Sequence, residues 1–90
     1  MISTVSINEN ELNFDFTIFP NPTEQNINIK ANEITEITII DLFGKIVYQS
    51  TNTSSVNNQV IDISFLNSGI YFMQVLNSRN QTCIRKIIKN

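Results

Sequence analysis

This sequence predicts an all-β fold: a seven-stranded antiparallel β-sandwich of immunoglobulin-like type. Three observations carry the expectation. Apolar side chains recur at every second position in short runs, turn-forming residues punctuate the chain at spacings near ten, and no helical period occurs anywhere. Alternation of this kind describes strands with one buried face, and its repetition at such intervals describes a sandwich. The 90 residues suffice for one small domain, which would bury roughly 60–65% of its unfolded surface. Isoleucine, present sixteen times, suits a pleated and half-buried surface.

The elements follow in order. Phe14, Phe16 and Ile18 alternate with Asp15 and Thr17 as a first strand. Phe19-Pro20-Asn21-Pro22 then breaks the ladder, because two prolines one residue apart remove two backbone donors and fix φ. As an edge device, the same prolines would keep the strand from extending into aggregation. Ile27 and Ile29 alternate with Asn26, Asn28 and Lys30 in a second strand, and Ile37 and Ile39 with Glu36 and Thr38 in a third, running on to Leu42. Phe43-Gly44 turns the chain and Lys45–Gln49 returns as a fourth strand. Asp41-Leu42-Phe43-Gly44 reads as a hairpin turn in which Gly44 takes a positive φ. Ser50–Asn58 is Ser, Thr and Asn apart from Val56, and is expected to be a loop. Val60–Ser64, Ile70–Leu76 and Gln81–Lys89 supply the fifth, sixth and seventh strands, with Asn77–Asn80 as the hairpin turn between the last two.

The most specific local pattern is Leu66-Asn67-Ser68-Gly69-Ile70-Tyr71, a tight turn opening onto a strand. Alternation places Tyr71, Met73 and Val75 on one face. A Tyr at this place is where sandwich proteins build a tyrosine corner, its hydroxyl bonded back to upstream backbone. The sequence then closes on the basic strand Cys83-Ile84-Arg85-Lys86-Ile87-Ile88-Lys89, which is expected to make the terminus part of the fold and open to a partner. Residues 1–13 scatter Val5, Ile7 and Leu12 among Ser, Thr, Asn and Glu without a sustained period, and are expected to be a flexible linker ahead of a domain over residues 14–90.

Composition excludes much chemistry. Histidine is absent, which removes the commonest general base and metal ligand together. A single cysteine, Cys83, permits neither a disulfide nor a thiolate cage within one chain, and reads as a small buried hydrophobe. The carboxylates Asp15, Glu24, Glu33, Glu36, Asp41 and Asp62 show no metal-loop spacing and no neighbouring nucleophile. Two glycines are too few for a phosphate-cradling loop. No catalytic residue, metal site, cofactor or small-molecule substrate is therefore expected. No acidic residue follows Asp62, while four of the six basic side chains, Arg79, Arg85, Lys86 and Lys89, lie in the last twelve positions. Four charges alternating with Ile describe a solvated strand face better than a phosphate track, so no nucleic-acid partner is expected. No apolar run approaches the ~18 residues of a membrane helix, and no signal-peptide pattern opens the sequence. Met1 thus begins either a cytoplasmic protein or a piece of a longer one.

Four motifs occur in order: Phe19-Pro20-Asn21-Pro22, then Ile39-Ile40-Asp41-Leu42-Phe43-Gly44-Lys45. Next comes Ile61-Asp62-Ile63-Ser64 leading to Leu66-x-x-Gly69-Ile70-Tyr71-Phe72, and last Lys86-Ile87-Ile88-Lys89. Together they resemble the type A carboxy-terminal sorting domain of the type IX (Por) secretion system of Bacteroidetes, over about residues 14–90. The resemblance implies a domain fused behind a secreted cargo that has crossed the inner membrane by a separate signal. Outer-membrane components, a translocon shuttle and a sortase, would recognise the domain in the periplasm. The cargo would pass to the surface, usually be cleaved from the domain somewhere in residues 1–13, and be anchored there to a surface lipopolysaccharide. Carried over by position, Lys86, Ile87, Ile88 and Lys89 match the terminal recognition segment. Pro20, Asn21, Pro22, Asp41, Gly44, Leu66, Gly69 and Tyr71 match positions expected to serve the fold. A sorting signal acted on by a sortase needs no catalytic residue of its own, and a monomer is expected.

Two other classes compete. An adhesive or carbohydrate-binding module would need exposed aromatics, for which Phe43, Tyr48, Phe65 and Phe72 are the candidates, with no Trp in the chain. A spacer domain of a larger surface protein would continue beyond residue 90.

Overall fold

The structure, a computed structural model, describes residues 16–90. The linker expected over residues 1–13, and Phe14 and Asp15 of the first strand, lie outside the described residues. Five strands follow in chain order: β1 (Phe16–Phe19), β2 (Asn26–Ile40), β3 (Ile46–Asp62), β4 (Gly69–Asn77) and β5 (Thr82–Lys89). All named pairings are antiparallel, and the described residues contain no helix. β2 is the spine. It pairs with β3 along its length, with β1 over its first half and with β4 over its second, and β4 carries β5.

All-β and antiparallel hold, and the described strands form one curled five-stranded sheet in which expected strands run together. The second and third expected strands are one continuous β2, and the fourth and fifth one continuous β3. Between the expected strands the register slips: Lys30 pairs with Asn58 and Ile34 with Val56, then Glu36 with Thr51. These are bulges, which add unpaired residues and bend the strand. The slip also resets which face is buried: Ile27 and Ile29, then Ile34, then Ile37 and Ile39 all point inward, although their parity changes twice.

Ser50–Asn58 is accordingly strand rather than loop. Its polar side chains satisfy the backbone that the bulge leaves unpaired. Asn52 Nδ2 donates to the Ile34 carbonyl (3.3 Å) and to Gln59 Oε1 (3.2 Å), and Glu33 N donates to Asn57 Oδ1 (2.9 Å). Glu33 itself sits at φ 57°, a left-handed conformation uncommon for a residue with a Cβ.

The bend has a geometric cause. A straight β2 would hold Asn26 and the level of Gly69 some ~50 Å apart. Asn26 pairs with Asp62, yet the seven peptide steps from Asp62 to Gly69 reach only about 25 Å. The sheet must curl, and it curls around one core. Ile27 and Ile61 from one half join Ile37, Ile39, Met73, Val75 and Ile87 from the other in a single buried cluster. Tyr71, Met73 and Val75 all face it, as the alternation requires.

The predicted turns are built by side chains. Asp41 Oδ1 accepts from the Phe43 and Lys45 amides (both 2.9 Å), closing the β2–β3 hairpin with Gly44 at φ 84°. Asn77 Oδ1 accepts from the Arg79 and Gln81 amides (both 2.9 Å) and closes the β4–β5 hairpin. Asx side chains bonded to nearby backbone in this way are what make Asp and Asn turn formers.

Candidate recognition site

The alternation of β5 splits the terminal segment into two roles. Ile87 is fully buried and Lys89 nearly so, its ammonium turned back to the Asn90 main-chain oxygen (3.1 Å). Lys86 is exposed and Ile88 half-buried, both on the opposite face. The four residues therefore offer a partner two side chains, Lys86 and Ile88, while the other two hold the strand down.

The outer edge of this strand is already engaged at its end. One edge of β5 pairs with β4, through Tyr71↔Ile87 and Gly69↔Lys89. On the other, Asn21 Nδ2 donates to the Lys86 carbonyl (3.1 Å), and the Ile88 amide donates to Asn21 Oδ1 (3.0 Å). The carboxamide thus imitates one peptide unit of a neighbouring strand. Next along, Thr23 N donates to the Ile88 carbonyl (2.9 Å) and Asn90 N to the Thr23 carbonyl (2.8 Å), in a single parallel bridge between Thr23 and Lys89. The Thr23 hydroxyl, buried, donates to the Asn26 carbonyl (2.7 Å). Pro20 and Pro22 flank Asn21 and cannot donate, so this segment donates through Asn21 Nδ2 and Thr23 N, and the Ile88 and Asn90 amides donate in return.

The Pro-Asn-Pro and Lys-Ile-Ile-Lys motifs, more than sixty positions apart, are one physical unit. Thr23 escaped the sequence reading. The available signal was an Asn isolated between two residues that lack an N–H; its partner lay too far along the chain to be inferred.

The remaining motif positions shape the crossing from β3 to β4. Leu66 is buried and its amide closes a turn onto the Ile63 carbonyl (3.0 Å). The Tyr71 hydroxyl donates to the Asn67 carbonyl (2.8 Å), the corner expected from sequence. Gly69 has φ 155°, a conformation that residues with a Cβ rarely adopt, although a Cβ there would meet nothing within 4 Å. The cost of Gly69→Ala is therefore backbone strain without a clash. We expect a loss of about 1–3 kcal/mol, measured by urea denaturation with an unchanged m-value.

Reactive chemistry is sparse. Among the described residues no group of three His, Cys, Asp or Glu side chains could hold a metal ion. Burial pushes the Cys83 thiol up from its ordinary value, against a weaker opposing hydrogen bond to Ile84, so it stays protonated at neutral pH. Cys83 is half-buried rather than enclosed, with Arg85 Nη1 2.8 Å from its sulfur and the guanidinium 5.1 Å from the Phe16 ring centre. The Asp62 carboxyl is held below its usual value by the backbone amide and hydroxyl of Ser64, which close the turn after β3. The four candidate sugar-platform aromatics lie on four different elements. Phe43 and Phe65 are exposed on separate turns, Phe72 is half-buried on β4, and Tyr48 packs against the core.

A family model described as a secretion system C-terminal sorting domain matches residues 17–90. Comparison with curated proteins gave no match.

Proposed function

The chain belongs to the family of secretion system C-terminal sorting domains, and from that premise we propose that the terminal strand, through Lys86–Lys89, is the stretch the machinery reads. The domain is a sorting signal for type IX secretion, of a family of signals and not of enzymes. Membership carries with it interaction with that machinery and an address at the cell surface or outside. The finer reading assigns an upstream cargo, transit through the periplasm, recognition by an outer-membrane shuttle and sortase, and cleavage within residues 1–13. Residues 14–90 then act as a monomeric signal without catalysis of their own. Dividing β2 and β3 once each, at the bulged stretch where residues 30–36 face residues 51–58, gives the curled sheet seven segments, which supports an immunoglobulin-like sandwich.

One observation carries the reading: the outward pair Lys86 and Ile88 is displayed on a strand that the Asn21–Thr23 clasp holds in place. A partner therefore meets a preset, extended basic-apolar pair, and the clasp covers the edge at Ile88. Edge pairing by a partner strand would be confined to the part of β5 before the Lys86 carbonyl, which Asn21 also holds. The test is Lys86→Ser with Ile88→Thr, which keeps Ile87 and Lys89 in place. The expected result is a domain that still melts cooperatively but no longer delivers a fused reporter to the surface. Delivery equal to that of the parent would remove these side chains from the signal.

A further inference from the structure

The solvent face of the curled sheet is divided. Cross-strand register sets Ile46, Ile40, Phe72 and Lys86 side by side across β3, β2, β4 and β5, and the next row toward the hairpin end sets Ile70 beside Ile88. Ile46 is 53% and Ile70 39% exposed, and the tip of the adjoining β2–β3 hairpin carries Phe43 at 96%. The following row on the same face is mostly polar, Gln49, Thr38 and Gln74 beside Ile84. Part of it satisfies itself, since Gln49 Nε2 donates to Glu36 Oε2 at 2.9 Å and lies 3.5 Å from Thr38 Oγ1. The apolar rows contain Lys86 and no carboxylate. β4 and β5 have no acidic residue at all, and the nearby Asp41 carboxylate is turned to the amides of its own hairpin.

We propose that this apolar half of the outer face, Ile40, Ile46, Ile70, Phe72 and Ile88 around Lys86, is a docking surface for a protein of the secretion machinery. The partner patch is apolar and bears a carboxylate opposite Lys86. The inference rests on the sorting reading and extends it from the terminal strand to three neighbouring strands. Two arguments select this occupant. Four strands at about 4.8 Å spacing and two same-face rows of about 7 Å each make a patch on the order of 200 Å² per partner, which suits a transient contact and falls short of the roughly 1,200–2,000 Å² in total that a stable dimer buries. A twofold contact between copies would also bring Lys86 toward its own image, a repulsion that a carboxylate partner converts to attraction.

The test places a reporter with an inner-membrane export signal ahead of the full chain, in a host with type IX machinery. Its readout is the fraction reached by protease added outside the cells. Ile46→Thr with Ile70→Thr keeps β-branched side chains at exposed positions and should lower that fraction by about tenfold or more, as should Lys86→Glu. Lys86→Arg should preserve delivery, as should Gln74→Ser on the polar half. Melting of the purified chains should change little for Lys86→Glu, whose side chain is exposed. If the parent is delivered and the Ile46/Ile70 variant is delivered equally, the docking surface is refuted while the sorting reading stands. A parent that never leaves the periplasm refutes both. A chain that sediments as a dimer, dispersed by the Ile46/Ile70 changes, would assign the face to a second copy and overturn the proposal.

Discussion

Truncation after Arg85 is expected to abolish the cooperative fold, with delivery lost as a consequence. The deletion removes Ile87, fully buried against the core opposite Tyr71, and the nearly buried Lys89 opposite Gly69. Loss of one buried Ile costs about 2–5 kcal/mol where a cavity remains. The same cut strips the partners of Asn21 and Thr23 and leaves the start of β4 without a neighbour on that side. A domain of this size has about 5–15 kcal/mol in total, and the cavity, the broken clasp and the unpaired start of β4 together are large against it. Amide proton dispersion should collapse in the truncated protein. A truncated chain with a melt like that of the intact one would show that β5 beyond Arg85 is an appendage.

Tyr71 gives the second large effect, and its two replacements separate two physical causes. Tyr71→Phe removes only the hydroxyl that donates to the Asn67 carbonyl and should cost about 0.5–1.5 kcal/mol. Tyr71→Ala also empties a buried ring position in the core cluster, on the strand position paired with Ile87, and should cost about 3–5 kcal/mol. Chemical denaturation of both proteins reads the difference. Equal and small losses would mean that the ring contributes little packing and that the corner does not brace the β3–β4 crossing.

The parts of this fold that sequence could reveal are those fixed within a few residues. Tyr71, Met73 and Val75 share a face because strand geometry alternates, and the Asp41 and Asn77 turns form because a short carbonyl side chain reaches amides two and four residues on. What escaped was set from across the sheet. Ser50–Asn58 has the composition of a loop, yet becomes strand because β2 lies beside it and Asn52, Asn57 and Gln59 absorb the polar cost of the bulge. The boundary expected near residue 31 is likewise a bend that β3 follows. Lys89 looked like a solvated charge; pairing with Gly69 and the bridge to Thr23 place it inward. The clasp was the hardest to foresee, because a carboxamide imitating a peptide unit leaves no periodic trace.

Surface delivery by the whole chain tests the central claim most directly. A reporter carrying an inner-membrane export signal and followed by residues 1–90 would be compared in a host with type IX machinery and in the same host lacking its outer-membrane translocon. The domain should bring the reporter within reach of external protease only where the translocon is present, and leave it in the periplasm otherwise. A reporter that remains periplasmic in both hosts, while the domain is folded and intact, would contradict the assignment of this chain as a working sorting signal.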